Sequence, residues 1–345
     1  MPLMNSHPFP PGSIDSAERH LRAILTHAFQ HTAQQAAVVV YDSRSELAQM
    51  LTAAYRRCLP DASFIAFDQH TPEAVLAGLH LLQARDLAVL VQSTNFRIDA
   101  YRIRVELFKR GLKVIEHPHL GRMAGQQALH YIEALAYDAA YYRGTGQALK
   151  QLIDSAGGAI LDSGGAQLVY GGPLEPAKLN VGDYSEMKNA GGQFPIGEVF
   201  TEARDLATVN GEVRIFVFGD THFLVNRPAT PITLVIRAGQ VVVARDSTPE
   251  FDEVLAKIRA EEGVVWVREL GFGLNRAFSR ERSVADIGTY ERMCGVHLSL
   301  GAKHGSYAKP HIKRGEGRYH VDVFAVTESV SLGGRQVYRD GAWQV

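Results

Sequence analysis

The feature that most restricts this fold is an alternation between residues 36 and 117. AAVVVYD (36–42) is an unbroken apolar, β-branched run, the pattern of a strand buried on both faces. SRSELAQMLTAAYRRCL (43–59) then follows a helical pattern, and Ser43 with Glu46 three residues on has the form of a capping box. ASFIAFD (62–68) reads as the next strand. TPEAVLAGLHLLQA (71–84) reads as a helix with Thr71 as cap and Pro72 at its first position, and DLAVLVQST (86–94) as a third strand. A helix over 98–110 stops at Gly111, and LKVIEH (112–117) is the fourth strand. Strands and helices in this alternation predict a parallel sheet covered by helices on both faces.

Beyond about residue 145 the strand-like runs come as hairpins. ITLVIRAGQVVVARD (232–246) holds two β-branched runs joined by Ala-Gly, and VRIFVFGD and THFLVN flank a turn at Gly219-Asp220. TPEFDEVLAKIRAE (248–261) is the one clear helix, and the chain closes as strand, turn, strand. A length of 345 residues exceeds the usual single core. The organisation expected is therefore an α/β domain over 1–145 and an α+β domain rich in antiparallel sheet over 146–345.

Charge narrows the partners. The net charge of −1 does not supply the basic surface that a nucleic acid or an anionic membrane requires. No apolar run approaches the ~20 residues that span a bilayer. The Pro-rich opening lacks the apolar stretch of a secretory signal and is expected to be a loose arm, so the chain is expected in the cytoplasm. Cys58 and Cys294 build neither a disulfide framework nor a Cys-based zinc site. There is no GxxxxGK[ST] loop, no GxSxG elbow and no HExxH, and Gly144-Thr-Gly146 lacks the third glycine and the preceding strand of a dinucleotide fingerprint. Metal chemistry is left as the main candidate.

Five residues carry that candidate. In YHVDV, His320 and Asp322 are two apart on a strand and so project from one face, an imidazole beside a carboxylate. His297 stands in the apolar run GVHLSLG and would complete a set of two histidines and one carboxylate. Glu269 ends the apolar run VVWVRE where the chain enters Gly271-Phe-Gly273, and Glu198 follows Pro195 and Gly197 in another apolar segment. A carboxylate in such surroundings needs a cation. Together the five form the ligand set of a two-metal hydrolytic site, with Glu198 or Glu269 doubling as the base.

PIGEVFTEA, ELGFGLN, HLSLG and HVDV, followed by SLGGRQVYRDGAW, resemble in order the thermophilic metallo-aminopeptidases, aminopeptidase T and aminopeptidase S. The resemblance is best over about 190–345. It implies two divalent ions (zinc, cobalt or manganese) on Glu198, Glu269, His297, His320 and Asp322, a homodimer, and release of N-terminal residues from small peptides. Where that family has a tyrosine that assists catalysis, seven residues after the first histidine, this chain has His304, with Tyr307 and Tyr319 out of register. The same superfamily includes ring-cleaving 2,5-dihydroxypyridine dioxygenases with one Fe(II) on a His, His, Asp set. An iron enzyme acting on a small N-heterocycle is thus the alternative. A catalytically weakened peptide-binding relative is a third reading.

Two further groups are candidates for substrate contact. His117-Pro-His119 with Arg122 follows the fourth strand at its C-terminal end, where open α/β sheets place ligands. His304, Tyr307, Lys309, His311, Lys313 and Arg314 lie in the basic segment 303–318, read as a mobile flap that recognises an anionic group.

Overall fold

The computed structural model describes residues 9–98, 102–185, 187–310, 312, 315 and 317–345. The chain forms two compact units. One comprises Met1–Ala140, Gly182–Ile196 and Arg282–Val284, and the other Tyr141–Val181, Gly197–Glu281 and Ala285–Val345.

The first unit holds the parallel sheet. Its strands run Ser63–Ala66, Ala37–Tyr41, Leu87–Val91, Lys113–His117 and Gly191–Gln193 in spatial order, every neighbour parallel. Val38, Val40, Ala88, Leu90 and Val114 pack against Val75, Leu79 and Leu107 of the covering helices. Burial of each such valine or leucine contributes about 1.5–3 kcal/mol, which is why these runs read so clearly as strands. Thr71 caps the Pro72–His80 helix through Ala74 N–H, as its sequence predicts. The cap of the Glu46–Cys58 helix is Ser45, which accepts from Ala48 N–H. Ser43, the predicted cap, instead hydrogen-bonds Asp68 at 3.3 Å. The predicted helix over 98–110 is observed as Ile103–Lys109, and residues 99–101 lie outside the described set. Gly111 takes the expected left-handed conformation, at φ 72°. The opening arm falls largely outside the described residues, and a helix spans Ser13–Ala23.

The fifth strand was not anticipated. Gly191–Gln193 belongs to the first unit although it lies beyond residue 145. It is three residues long and two are glycine, so it carries no strand-like pattern. Gly191 has φ 113°, and a Cβ there would collide with the Val114 carbonyl, so the pairing itself requires glycine.

Among the described residues, the second unit holds a 14-stranded antiparallel sheet, the helix Pro249–Glu262 and most of the longer helix Ala139–Ser155. Ile232–Arg237 and Gln240–Arg245 form the expected hairpin, with Ala238 and Gly239 both at positive φ as a primed turn demands. The closing segment is richer than strand–turn–strand: Val321–Ala325, Ser329–Leu332, Arg335–Arg339 and Ala342–Trp343 are all strands. An α/β unit and a unit dominated by antiparallel sheet is the fold class that the alternation and the hairpins predict. Among the described residues, no helix is long and apolar enough to cross a membrane.

Candidate metal centre

Four adjacent strands of the antiparallel sheet carry the site, in the order Glu198–Glu202, Val267–Gly273, Gly295–Leu300 and Val321–Ala325. Glu198 lies opposite Gly273, Glu269 opposite Glu202, His297 opposite Gly271, and Asp322 opposite Ser299. Cross-strand partners share a face, so this register gathers carboxylates and imidazoles from segments far apart in sequence. The Val267–Gly273 strand slips register against its neighbour between Val267 and Leu270. Glu269 sits in that irregularity, and its N–H is taken by Ser299 Oγ at 3.0 Å. Bulges of this kind commonly re-aim a side chain next to a site. Gly271 leaves room for the His297 ring, since a Cβ there would overlap it.

Two groups of potential ligands result, Glu198–Glu269–His297 and Glu269–His320–Asp322, each with its ligand atoms within 4.8 Å of one another. Glu269 belongs to both. Among the described residues, His297 does not fall in one such group with His320 and Asp322, so the two-histidine, one-carboxylate set is divided between the groups. His297 Nε2 lies 3.3 Å from Glu198 Oε1 and 3.3 Å from Glu269 Oε1. His304 Nε2 is 3.0 Å from Glu269 Oε2, and His320 Nε2 is 3.1 Å from Asp322 Oδ1. His320 Nδ1 lies 3.1 Å from the Lys303 carbonyl. A carbonyl only accepts, so Nδ1 carries a proton and Nε2 is the nitrogen turned to Asp322, the usual second-sphere arrangement around a metal-binding histidine.

Electrostatics mark the cluster as built for charge. Burial disfavours a charge on His297, but the Glu198 and Glu269 carboxylates override it and hold the ring's pKa well above the ordinary imidazole range. His320 is likewise raised, against burial, by Asp322 and then Glu269. Burial alone would raise the Glu269 pKa, but the His297 and His304 rings against it and the charge of His320 bring it far below the usual carboxylate value. Each proton on these rings stands where a divalent cation would satisfy the same carboxylates. The donor set, two imidazoles and three carboxylates, suits a divalent ion of the zinc, cobalt or manganese type. Asp322 Oδ1 and His304 Nε2 are buried and, although close to His320 and Glu269, make no aligned hydrogen bond, so the residues present fit such an ion.

Several contributors were not visible as site residues in the sequence. Arg292 is 5% exposed and donates from Nη1 to Glu198 Oε2 at 2.9 Å, and the same nitrogen bonds Glu291. Burial pushes the Glu291 carboxyl upward although Arg292 pulls it down. The signal available was a charged pair, Glu291-Arg292, in an otherwise apolar stretch, which demands partners. Arg268, 2% exposed, pairs with fully buried Glu202 and donates to the carbonyls of Ala302 and Tyr307.

That last network corrects the reading of segment 303–318 as a mobile basic flap. Lys309 is buried rather than solvated, donating to Glu175 at 2.7 Å and to the Ala203 carbonyl at 2.6 Å. Arg268 holds residues 302 and 307, so the part carrying His304 is pinned by buried charges. His311, Lys313 and Arg314 lie outside the described residues. Tyr307 is corrected as well. Its hydroxyl donates to the Pro176 and Phe200 carbonyls, at 2.8 and 3.3 Å, and its ring lies 5.2 Å from that of His304. It supports His304 rather than offering a free hydroxyl. The Tyr319 hydroxyl bonds Glu261 and takes no part in the cluster.

In the first unit, His117 is not open to a ligand. It is fully buried, with Nε2 2.8 Å from the Tyr55 hydroxyl and Nδ1 2.8 Å from the Tyr131 hydroxyl. Tyr131 donates to the Phe194 carbonyl, so it accepts from Nδ1–H and Tyr55 donates to Nε2. Desolvation lowers the His117 pKa to about 3. His119 and Arg122 are half-buried around the short helical turn Leu120–Arg122.

No protein-family model matches the chain, and no curated protein sequence matches it. Among solved structures, wild-type AmpT from Thermus thermophilus is similar, with a TM-score of 0.59 and 13% identity over 96% of this chain and 99% of that one. The chain therefore has an AmpT-like fold, a likeness that extends over both units.

Proposed function

We propose that this chain is a metal-dependent hydrolase of the aminopeptidase kind, removing N-terminal residues from small peptides. The observation that supports this most is the pair of three-ligand groups sharing Glu269 on a fold like that of AmpT. Glu198, Glu269 and His297 would hold one divalent ion, and Glu269, His320 and Asp322 a second. Such ions would activate a shared water and polarise the scissile carbonyl.

The chain's own residues do the rest. Glu269 is held by His297 on one oxygen and faces His304 with the other, which fixes its orientation. His304 Nδ1 accepts from Ser306 N–H at 3.2 Å, so Nε2 carries the ring proton. That N–H faces Glu269 and is suited to donate to the oxyanion as it develops. Phe200 and Tyr307, with ring centroids 6.2 and 5.2 Å from His304, hold the imidazole in place. A side chain so confined loses little freedom on reaction. Glu198 gives one oxygen to Arg292 and keeps the other at His297, so it serves as an ion-holding group. Glu198 or Glu269 would take the proton of the attacking water, with the His304 Nε2–H beside Glu269 as a donor and not a relay.

The test is metal content together with turnover. Full-length protein loaded with zinc, cobalt or manganese is expected to retain metal on desalting and to release N-terminal residues from short peptides. Metal content near zero under all three loadings defeats the proposal. Retained iron with oxygen uptake on a hydroxylated N-heterocycle replaces it with the dioxygenase reading. Metal with no turnover of any peptide favours a binding protein.

A further inference from the structure

We propose that Arg292 makes the two ligand groups unequal, so that the Glu269–His320–Asp322 group takes its ion tightly while the Glu198–Glu269–His297 group takes one weakly and exchanges it. This rests on the metal-hydrolase reading above. The two groups look alike by composition: each has two carboxylates, one of them shared, and one imidazole. They differ in what surrounds them.

Glu198 already has a cation. Arg292 Nη1 donates to its Oε2 at 2.9 Å. A guanidinium cannot shed its charge, and at 5% exposure water and salt screen it poorly. A divalent ion on Glu198 must therefore accept a fixed positive charge one carboxylate away. Donation from Arg292 also draws electron density from Glu198, which leaves a single oxygen, beside His297, to face an ion. Glu291 offsets part of this charge, but it touches Arg292 rather than Glu198, and at 23% side-chain exposure it is better screened.

The second group has the opposite surroundings. Asp322 Oδ1 is buried with no aligned hydrogen bond. His320 is held at Nδ1 by the Lys303 carbonyl, and its Nε2 is already turned to Asp322 at 3.1 Å. No arginine or lysine ion-pairs with Asp322 among the described contacts. One group is preorganised and faces only a histidine that can give up its proton, whereas the other carries a permanent positive charge against Glu198.

Stepwise titration of metal-free, full-length protein with Co(II), followed by calorimetry and by visible absorption, tests this. The wild type is expected to bind in two steps separated by at least about tenfold in Kd, as a buried unit charge near one site implies. His320→Ala should remove the tight step and Glu198→Ala the weak one. Arg292→Gln should tighten the weak step by about tenfold, whereas Arg292→Lys, which keeps the charge, should preserve the gap. Two equal steps in the wild type, loss of the tight step in Glu198→Ala, or an unchanged gap in Arg292→Gln each overturn the inference and leave the hydrolase reading standing. If Arg292→Gln does not fold, the wild-type titration with the Ala and Lys variants decides. Failure to bind any ion overturns both.

Discussion

Two buried histidine clusters, one in each unit, form an instructive pair. His117 lies between two tyrosine hydroxyls in the first unit, and its pKa falls to about 3. His297 lies between two carboxylates in the second, and its pKa rises well above the ordinary range. Both rings are 1% exposed or less. Burial therefore does not separate a structural histidine from a functional one. The charge of the neighbours does: neutral partners make a ring that stays neutral, and anionic partners make a position that a proton or a metal ion can hold.

The largest effect that sharpens this contrast is expected from Glu269→Ala. It removes the carboxylate shared by both groups, so metal content should fall below one ion and peptide turnover by about 10⁴-fold or more. His304→Ala, beside the same carboxylate, should leave metal content unchanged and lower kcat by about 10²–10³-fold. Equal metal loss in both variants would end the distinction between ligand and proton donor.

The His117 side of the comparison is tested by acid. Its folded pKa of about 3 lies below the unfolded value of 6.5, so between these values the unfolded chain binds one more proton. The stability due to the neutral ring is thus complete above pH 6.5 and is lost as pH falls towards 3, by roughly 1.4 kcal/mol per unit and up to about 5 kcal/mol in all. In urea unfolding between pH 7 and 4, His117→Phe should start less stable and show a shallower slope. An unchanged slope would mean that the ring is not held neutral. The smallest expected effect is that of Gly271→Ala, whose Cβ would overlap the His297 ring. A cost of about 1–3 kcal/mol in thermal unfolding is expected, with weaker metal binding. Ala tolerated with no change in either would show that His297 has room to move.

Legibility followed the range of the interactions concerned. The four apolar strands, the Thr71 cap and the Ala238-Gly239 hairpin were legible because propensity, period and turn chemistry act within a few residues. Ser43 and Ser45 are both of a capping residue type, and only the position of the first helical turn selects Ser45. Residues of the candidate site stood out in sequence as polar groups in apolar, glycine-marked strands, which burial penalises unless a partner is present. Tyr307 and Lys309 misled because a hydroxyl or an amine looks the same in sequence whether it faces a ligand or a buried carbonyl.

By itself, the sequence determined the two kinds of sheet and the residue types that can face a cation, since strand period and side-chain chemistry are local properties. Tertiary structure alone decided that Glu269 is shared by two groups of potential ligands, that Arg292 ion-pairs with Glu198, and that His117 belongs to the core. Those outcomes depend on cross-strand register and on charges brought close from distant segments. Coulomb and desolvation energies vary with separation in space, which residue order does not encode.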